Sequence, residues 1–182
     1  LENGTVMAWG RNNYGQLGNG NSTNQYIPVV VSDLSSVVAI AGGGYHSLAL
    51  LEDGSVMAWG NNDLGQLSVP GSLSSDVVAI AAGGGYGSLA LKSDGIVVGW
   101  GIDIYGGTPP EDLTDVIAIE AGYRHSAALK SDGTVVAWGN NVFGGLDVPA
   151  DLENVVSISS RYNHGLAIKS DGEVTGWGSN HQ

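Results

Sequence analysis

Cysteine is absent from this chain, so disulfides and thiol chemistry are excluded and the redox compartment leaves no mark on the sequence. Positive charge is nearly absent too. Six Lys and Arg stand against eighteen Asp and Glu among 182 residues, a formal net charge of −12. A non-specific grip on DNA or RNA needs Lys and Arg to displace counterions, so this balance argues against nucleic acid as a partner. The same acidity weakens any case for anionic membranes. No apolar run approaches the ~20 residues of a spanning helix, so membrane insertion is not expected. Leu1 begins inside a repeat, so the lack of a signal peptide there says little, and location stays open with an extracellular or cell-surface setting favoured.

What the chain has is glycine: 30 residues, well above the usual share of about 7 %. Apolar residues make up 42 %, enough to build a core, so the low charge does not mean disorder. Abundant glycine with buried apolar runs fits an all-β chain whose strands are covered on both faces and joined by tight turns.

The order within the chain is repetitive. The motif Asn3-Gly4-Thr5-Val6-Met7-Ala8-Trp9-Gly10 recurs at 53–60, 94–101, 132–139 and 171–178. Its tryptophans, Trp9, Trp59, Trp100, Trp138 and Trp177, lie 50, 41, 38 and 39 residues apart. A second motif begins Val38-Ala39-Ile40 and recurs from Val78, Ile117 and Val156. Periods of this length mean a solenoid, a propeller or an array. Short runs of Val, Ile, Leu and Trp without helical spacing read as strands, and Asp-Gly at Asp53, Asp94, Asp132 and Asp171 signals a hairpin.

Four strands per repeat follow: A around 116–120, B around 126–130, C around 134–138 and D around 146–149. All five prolines fall in or beside D. Proline lacks a ladder donor, so D is expected at the outer edge. Four-stranded sheets set radially are propeller blades. The expected organisation is a single propeller segment over 1–182. It comprises strands C and D of one blade (1–31), blades at about 37–70, 77–110 and 116–149, and strands A to C of a further blade (155–178). Strand C appears five times but the A–B hairpin only four, which predicts an arc rather than a closed ring. The remaining blades of the same chain, or another copy, would then cover the cut edges.

The segment Trp59-Gly60-Asn61-Asn62-Asp63-Leu64-Gly65-Gln66-Leu67, preceded by Ala49-Leu50 and Asp53-Gly54, resembles the regulator of chromosome condensation repeat family. Gly15-Gln16-Leu17-Gly18-Asn19-Gly20, with the insertion to Val31, resembles the full-length form of that repeat. The later repeats, with Leu146-Asp147-Val148-Pro149, are similar to the compact repeats of the propeller-type β-lactamase inhibitory protein. The resemblance implies a β-propeller of seven blades, of which this chain would be an arc lacking about three.

In an antiparallel blade the A–B and C–D loops share one face and the B–C turns and D–A connections share the other. Tyr45, Tyr86, Tyr123 and Tyr162 fall in A–B loops, and Tyr14, Tyr105 and Phe143 in C–D loops. Arg11, Arg124 and Arg161, the only arginines, join them. Asp94, Asp132, Asp171, Glu111, Asp112, Asp115, Asp151 and Glu153 belong to the opposite face. Tyr and Arg are enriched at interaction hot spots because each gives large contact area with hydrogen bonding at modest entropy cost. The candidate partner-binding set is therefore Tyr14, Tyr45, Tyr86, Tyr105, Tyr123, Arg124, Phe143, Arg161 and Tyr162. The competing reading is that each Tyr merely covers the gap to the next blade. In the β-lactamase inhibitor the A–B loop aromatics form much of the binding face, and the resemblance implies comparable positions for the four A–B tyrosines.

The tryptophans are expected between blades, as core. Gly42-Gly43-Gly44 and Gly83-Gly84-Gly85 read as crowded backbone or positive φ rather than a phosphate loop, since no Lys-Ser/Thr ending or helix follows. His46, His125 and His164 precede strand B. Blades about 10 Å apart cannot bring them to one zinc, whose ligands stand ~2 Å away, so hydrogen bonds tying down the loops are expected and no metal or cofactor. His46-Ser47 and His125-Ser126 point to opposite faces and lack an orienting carboxylate. Asp63 and Asp103 alone make a weak acid/base pair. The expectation is a non-enzymatic protein-binding propeller. The alternatives are a structural segment of a larger surface or multidomain protein, and, by the resemblance, guanine-nucleotide exchange on a small GTPase.

Overall fold

The computed structural model describes residues 5–101 and 107–179. Fourteen strands fill it, with one 3₁₀ turn at Gly71–Leu73 among the described residues. Strands β1 (Met7–Gly10) and β2 (Gln25–Val30) pair as C and D of the first blade. Then come three-stranded antiparallel sheets in the order A-B-C. The first is β3 (Val37–Gly42), β4 (His46–Leu51) and β5 (Val56–Gly60); the second is β6 (Val77–Ala82), β7 (Gly87–Lys92) and β8 (Val97–Gly101). The third is β9 (Val116–Ala121), β10 (His125–Lys130) and β11 (Val135–Gly139); the fourth is β12 (Val155–Arg161), β13 (His164–Lys169) and β14 (Val174–Gly178). Successive A strands β3, β6, β9 and β12 touch one another, which places A innermost.

The expected fourth strand forms only in the first blade, where Pro28 lies on the sheet edge in β2. Elsewhere among the described residues the D segment is too short to run back along strand C, and its proline cannot donate to a ladder. It makes a turn instead. Leu73 N donates to Pro70 O, Leu113 N to Pro110 O and Leu152 N to Pro149 O, at 2.9, 3.2 and 3.0 Å. Each turn drives its leucine into the space between two sheets. The prolines that marked an expected edge strand thus open a turn that ends in an apolar plug.

Among the described residues the core falls into three clusters, one between each pair of consecutive A-B-C sheets. Leu48, Leu50, Leu73, Val77 and Trp100 fill the first. Leu89, Leu91, Val116, Ile119 and Trp138 fill the second, and Leu129, Leu152, Val155, Ile158 and Trp177 the third. Sheets stacked face to face on such layers are how propeller blades pack. Trp59, Trp100 and Trp177 each donate Nε1–H to a carbonyl in the preceding blade's C–D loop (Gln16, Gln66 and Gly145, 2.8–3.0 Å). Trp100, Trp138 and Trp177 are buried as expected and Trp59 is half-buried. Trp9 departs from the expectation at 63 % exposed, because no described sheet packs on its outer side. It and Ile40, also uncovered, line an apolar groove of about 470 Å³ with Met7 and Val38.

Each Asp-Gly pair forms a three-residue hairpin loop with the glycine in the left-handed region, as at Gly54 (φ +79) and Gly133 (φ +81). The Asp caps it: Asp53 Oδ1 accepts from Ser55 N and Oγ, and Asp132 Oδ1 from Thr134 N and Oγ1.

Candidate functional site: the aromatic loop face

The two ends of the blades are fixed by backbone hydrogen bonds. On one end, Asn61 N, Asn140 N and Ser179 N donate to Tyr45 O, Arg124 O and Asn163 O, joining the C–D and A–B loops. On the other, Glu52 N, Ser93 N, Ser131 N and Ser170 N donate to Ser36 O, Asp76 O, Asp115 O and Asn154 O, joining the B–C turns to the D–A connections. The acidic residues gather at this second end, where Lys92, Lys130 and Lys169 pair with Asp94, Asp132 and Glu173. The serine and threonine hydrogen bonds at Asp53 and Asp132 hold those carboxyls below the usual range.

The A–B loops come in two lengths. Gly43 N donates to His46 O and Gly122 N to His125 O, enclosing two residues, and Arg161 faces His164 in the same way. Gly83 N reaches Gly87 O across three. Neighbouring loops are stitched together: Gly44 N to Gly83 O, Gly84 N to Gly122 O and Tyr123 N to Tyr162 O, at 3.2, 2.9 and 2.7 Å. The glycines permit this approach. A Cβ on Gly44 would overlap Gly84 O, and one on Gly85 would overlap Tyr123 O. None of Gly42–Gly44 and Gly83–Gly85 has a positive φ, and close packing is the reason for Gly43, Gly44, Gly83 and Gly85.

Tyr45 and Tyr86 occupy the last position of their loops, whereas Tyr123 and Tyr162 occupy the first. The four A–B tyrosines therefore sit at two different positions of their loops. They form two stacked pairs: Tyr45 on Tyr86 (centroids 6.1 Å, 18° apart) and Tyr123 on Tyr162 (5.8 Å, 16°). Tyr14 meets Tyr45 edge-on at 5.4 Å, and the Arg11 guanidinium lies 5.5 Å from the Tyr45 centroid and 5.9 Å from that of Tyr14. Arg124 lies between Tyr123 and Phe143, at 5.6 and 5.8 Å. Such cation–π contacts hold the cations flat on the face. Tyr162 is 64 % exposed and Arg161 is exposed beside it, while Tyr45, Tyr86 and Tyr123 are half-buried.

His46 and His125 supply hydrogen bonds between blades. His46 Nε2 lies 2.9 Å from Ser88 Oγ and His125 Nε2 lies 2.6 Å from Ser160 Oγ. Both rings are buried, and burial pulls both below the usual imidazole range, His46 to about 4. The charge of His164 adds to the effect at His125.

Against this geometry, the model of the regulator of chromosome condensation (RCC1) repeat matches residues 3–50, and a second model of the same repeat matches 37–66, 116–144 and 155–182. Together they take in about two thirds of the chain. The chain belongs to the RCC1-repeat family. It superposes with a TM-score of 0.84 on yeast RCC1 (Prp20), seen bound to Kap60, at 25 % identity over 98 % of this chain and 53 % of that one. Prp20p from Saccharomyces cerevisiae, described with its binding to Gsp1p and histones, matches at 0.83 and 25 %, over 98 % and 54 %. Human WBSCR16 shares the fold at 0.76 and 24 % identity, over 93 % and 54 %. This RCC1-repeat chain thus spans about half the length of these structures.

Of the expected site residues, the RCC1-repeat loops bring Tyr14, Tyr45, Tyr86, Tyr123, Arg124, Phe143, Arg161 and Tyr162 to one end of the blades, with Arg11 joining the first group. Tyr105 lies outside the described residues, as does Asp103; Asp63 accepts from Asn61 Nδ2 at 2.7 Å, an internal loop bond. One residue of this face went unremarked in the sequence. Glu120, on β9, lines a cavity of about 290 Å³ at the inner end of the loops, together with Gly44, Ser159, Arg161 and Tyr162. Aligning the blades would have flagged it, because the matching strand positions hold Ala41, Ala81 and Ser159.

Proposed function

We propose that this RCC1-repeat segment is a non-enzymatic protein-binding module that works through its tyrosine- and arginine-bearing loop face. The observation that carries this reading is the pair of stacked tyrosine couples flanked by arginines: Tyr45–Tyr86 with Arg11, and Tyr123–Tyr162 with Arg124. Pre-stacked rings lose little entropy on binding, and Arg11 and Arg124 lie against the rings at the same surface. The opposite face is acidic, with its lysines already paired. A protein partner is therefore met by flat aromatic surface on one side and by solvated carboxylates on the other.

The test compares two variant pairs against a partner recovered from the native source. Tyr123→Ala with Tyr162→Asn (asparagine tolerates the φ of +49 at that position) removes one couple. Affinity should fall at least about tenfold, since hot-spot truncations cost about 2 kcal/mol and about 1.4 kcal/mol is a factor of ten. Asp94→Ala with Asp132→Ala should leave affinity within about threefold. The reverse pattern would assign the work to the acidic face.

A second reading, guanine-nucleotide exchange on a small GTPase, is favoured by the similarity to Prp20p. Acceleration of nucleotide release from a GTPase of the native source by the purified chain would support it.

A further inference from the structure

The cavity at the inner end of the loop face has a chemistry unlike the rest of that face. At about 290 Å³ it holds several waters' volume, about 30 Å³ each, and sits at the small end of the range for ligand pockets. That suits one side chain rather than a cofactor. Its floor is backbone and glycine, and its one carboxylate is Glu120, half-buried on β9. The other blades carry Ala41, Ala81 and Ser159 at this register, so the fold does not need an acid here.

The acid is also poorly served. Among the described residues Glu120 makes no ion pair, and the hydrogen bond it accepts from Ser160 N is long, at 3.5 Å. A carboxylate taken partly out of water without a counter-charge is a standing cost, and a cation entering the cavity offsets it. Tyr162 also lines the cavity, with one face of its ring stacked on Tyr123 and the side chain 64 % exposed. A carboxylate beside an aromatic ring is the pairing that recognises an alkylammonium. Arg161, on the same rim, is exposed, so water screens its charge more than that of Glu120.

We propose that this cavity receives a lysine side chain of the bound protein, its ammonium on the Glu120 carboxylate and its methylenes against Tyr162; this rests on the loop face being the binding surface. Burial raises the Glu120 carboxyl above its ordinary range, and the incoming ammonium brings it down again.

The probe is Nα-acetyl-lysine N-methylamide, titrated into the ¹⁵N-labelled chain by NMR, with the norleucine counterpart as an uncharged control. Saturable shifts at the Ser160 and Tyr162 amides are expected with the lysine probe, and binding at least fivefold weaker with norleucine. Glu120→Gln should weaken the lysine probe at least fivefold. Glu120→Ala, which two other blades already accommodate, should do the same and guards against a folding artefact. Equal binding of the two probes, no saturable shift, or unchanged affinity in both variants overturns the proposal. With the native partner, loss of binding in the tyrosine pair but not in Glu120→Gln overturns this inference and leaves the loop-face reading standing. No loss in the tyrosine pair overturns that reading, while the probe titration still decides the cavity.

Discussion

His46 gives this protein an acid-sensitive joint between its first two A-B-C sheets. Its Nε2 meets Ser88 Oγ at 2.9 Å across the gap, and its Nδ1 is buried with no hydrogen-bond partner. With the single proton on Nε2, Nδ1 is a bare lone pair, which burial tolerates. A second proton would create an N–H with nowhere to donate. Burial accordingly lowers the group from 6.5 to about 4. The sign follows from linkage. The unfolded chain binds a proton below pH 6.5 that the folded chain refuses until about pH 4, so stability is full above 6.5 and is lost as pH falls through that window. At about 1.36 kcal/mol per pH unit, His46 alone costs about 2.5 kcal/mol between pH 7 and pH 4.5. That is a large part of a typical domain's 5–15 kcal/mol. Urea unfolding followed by tryptophan fluorescence, at pH 7 and 4.5, measures it. His46→Leu should lower stability at pH 7 by stranding Ser88, yet lose about 2.5 kcal/mol less than wild type on acidification. His125 titrates in both chains and cancels. An equal acid loss in wild type and variant, or an NMR titration placing His46 near 6.5, would refute the reasoning.

Two further pairs of substitutions probe how the blades meet. Gly44→Ala should destabilise by about 2 kcal/mol or more, read by urea midpoint, because its Cβ would overlap Gly84 O. Gly42→Ala, where nothing stands within 4 Å, should stay within about 0.5 kcal/mol. Trp100→Phe loses the 2.8 Å bond to Gln66 O and part of a buried ring, so about 1–3 kcal/mol should go; Trp9→Phe, on a ring 63 % exposed, should cost under about 0.5 kcal/mol. Equal costs at the two tryptophans would show that their burial does not set their contribution.

Strands A to C, the hairpin turns and the sorting of loops onto two faces were legible because they are local facts repeated. Short apolar runs without helical spacing, an Asp-Gly that needs a left-handed glycine, and the parity of an antiparallel sheet act within one blade. The sequence alone therefore determined which ends carry Tyr and Arg and which carry Asp. The tertiary structure decided whatever depends on the next blade. Pro70, Pro110 and Pro149 marked an edge, but whether the segment pairs or turns was settled by Leu73, Leu113 and Leu152 finding an apolar gap between two sheets. Trp9 and Trp100 share one motif, yet only Trp100 has a neighbouring blade's Gln66 carbonyl to bind, so identical local sequence ends exposed in one place and buried in the other. The tyrosines followed the same rule. The place of each ring in its loop, last for Tyr45 and Tyr86 and first for Tyr123 and Tyr162, is readable within one repeat, but the stacking of Tyr45 on Tyr86 and Tyr123 on Tyr162 exists only because the loops of adjacent blades are stitched amide to carbonyl. Short-range chemistry is written in each repeat; contacts between repeats depend on close approach of groups about 40 residues apart, which no single repeat encodes.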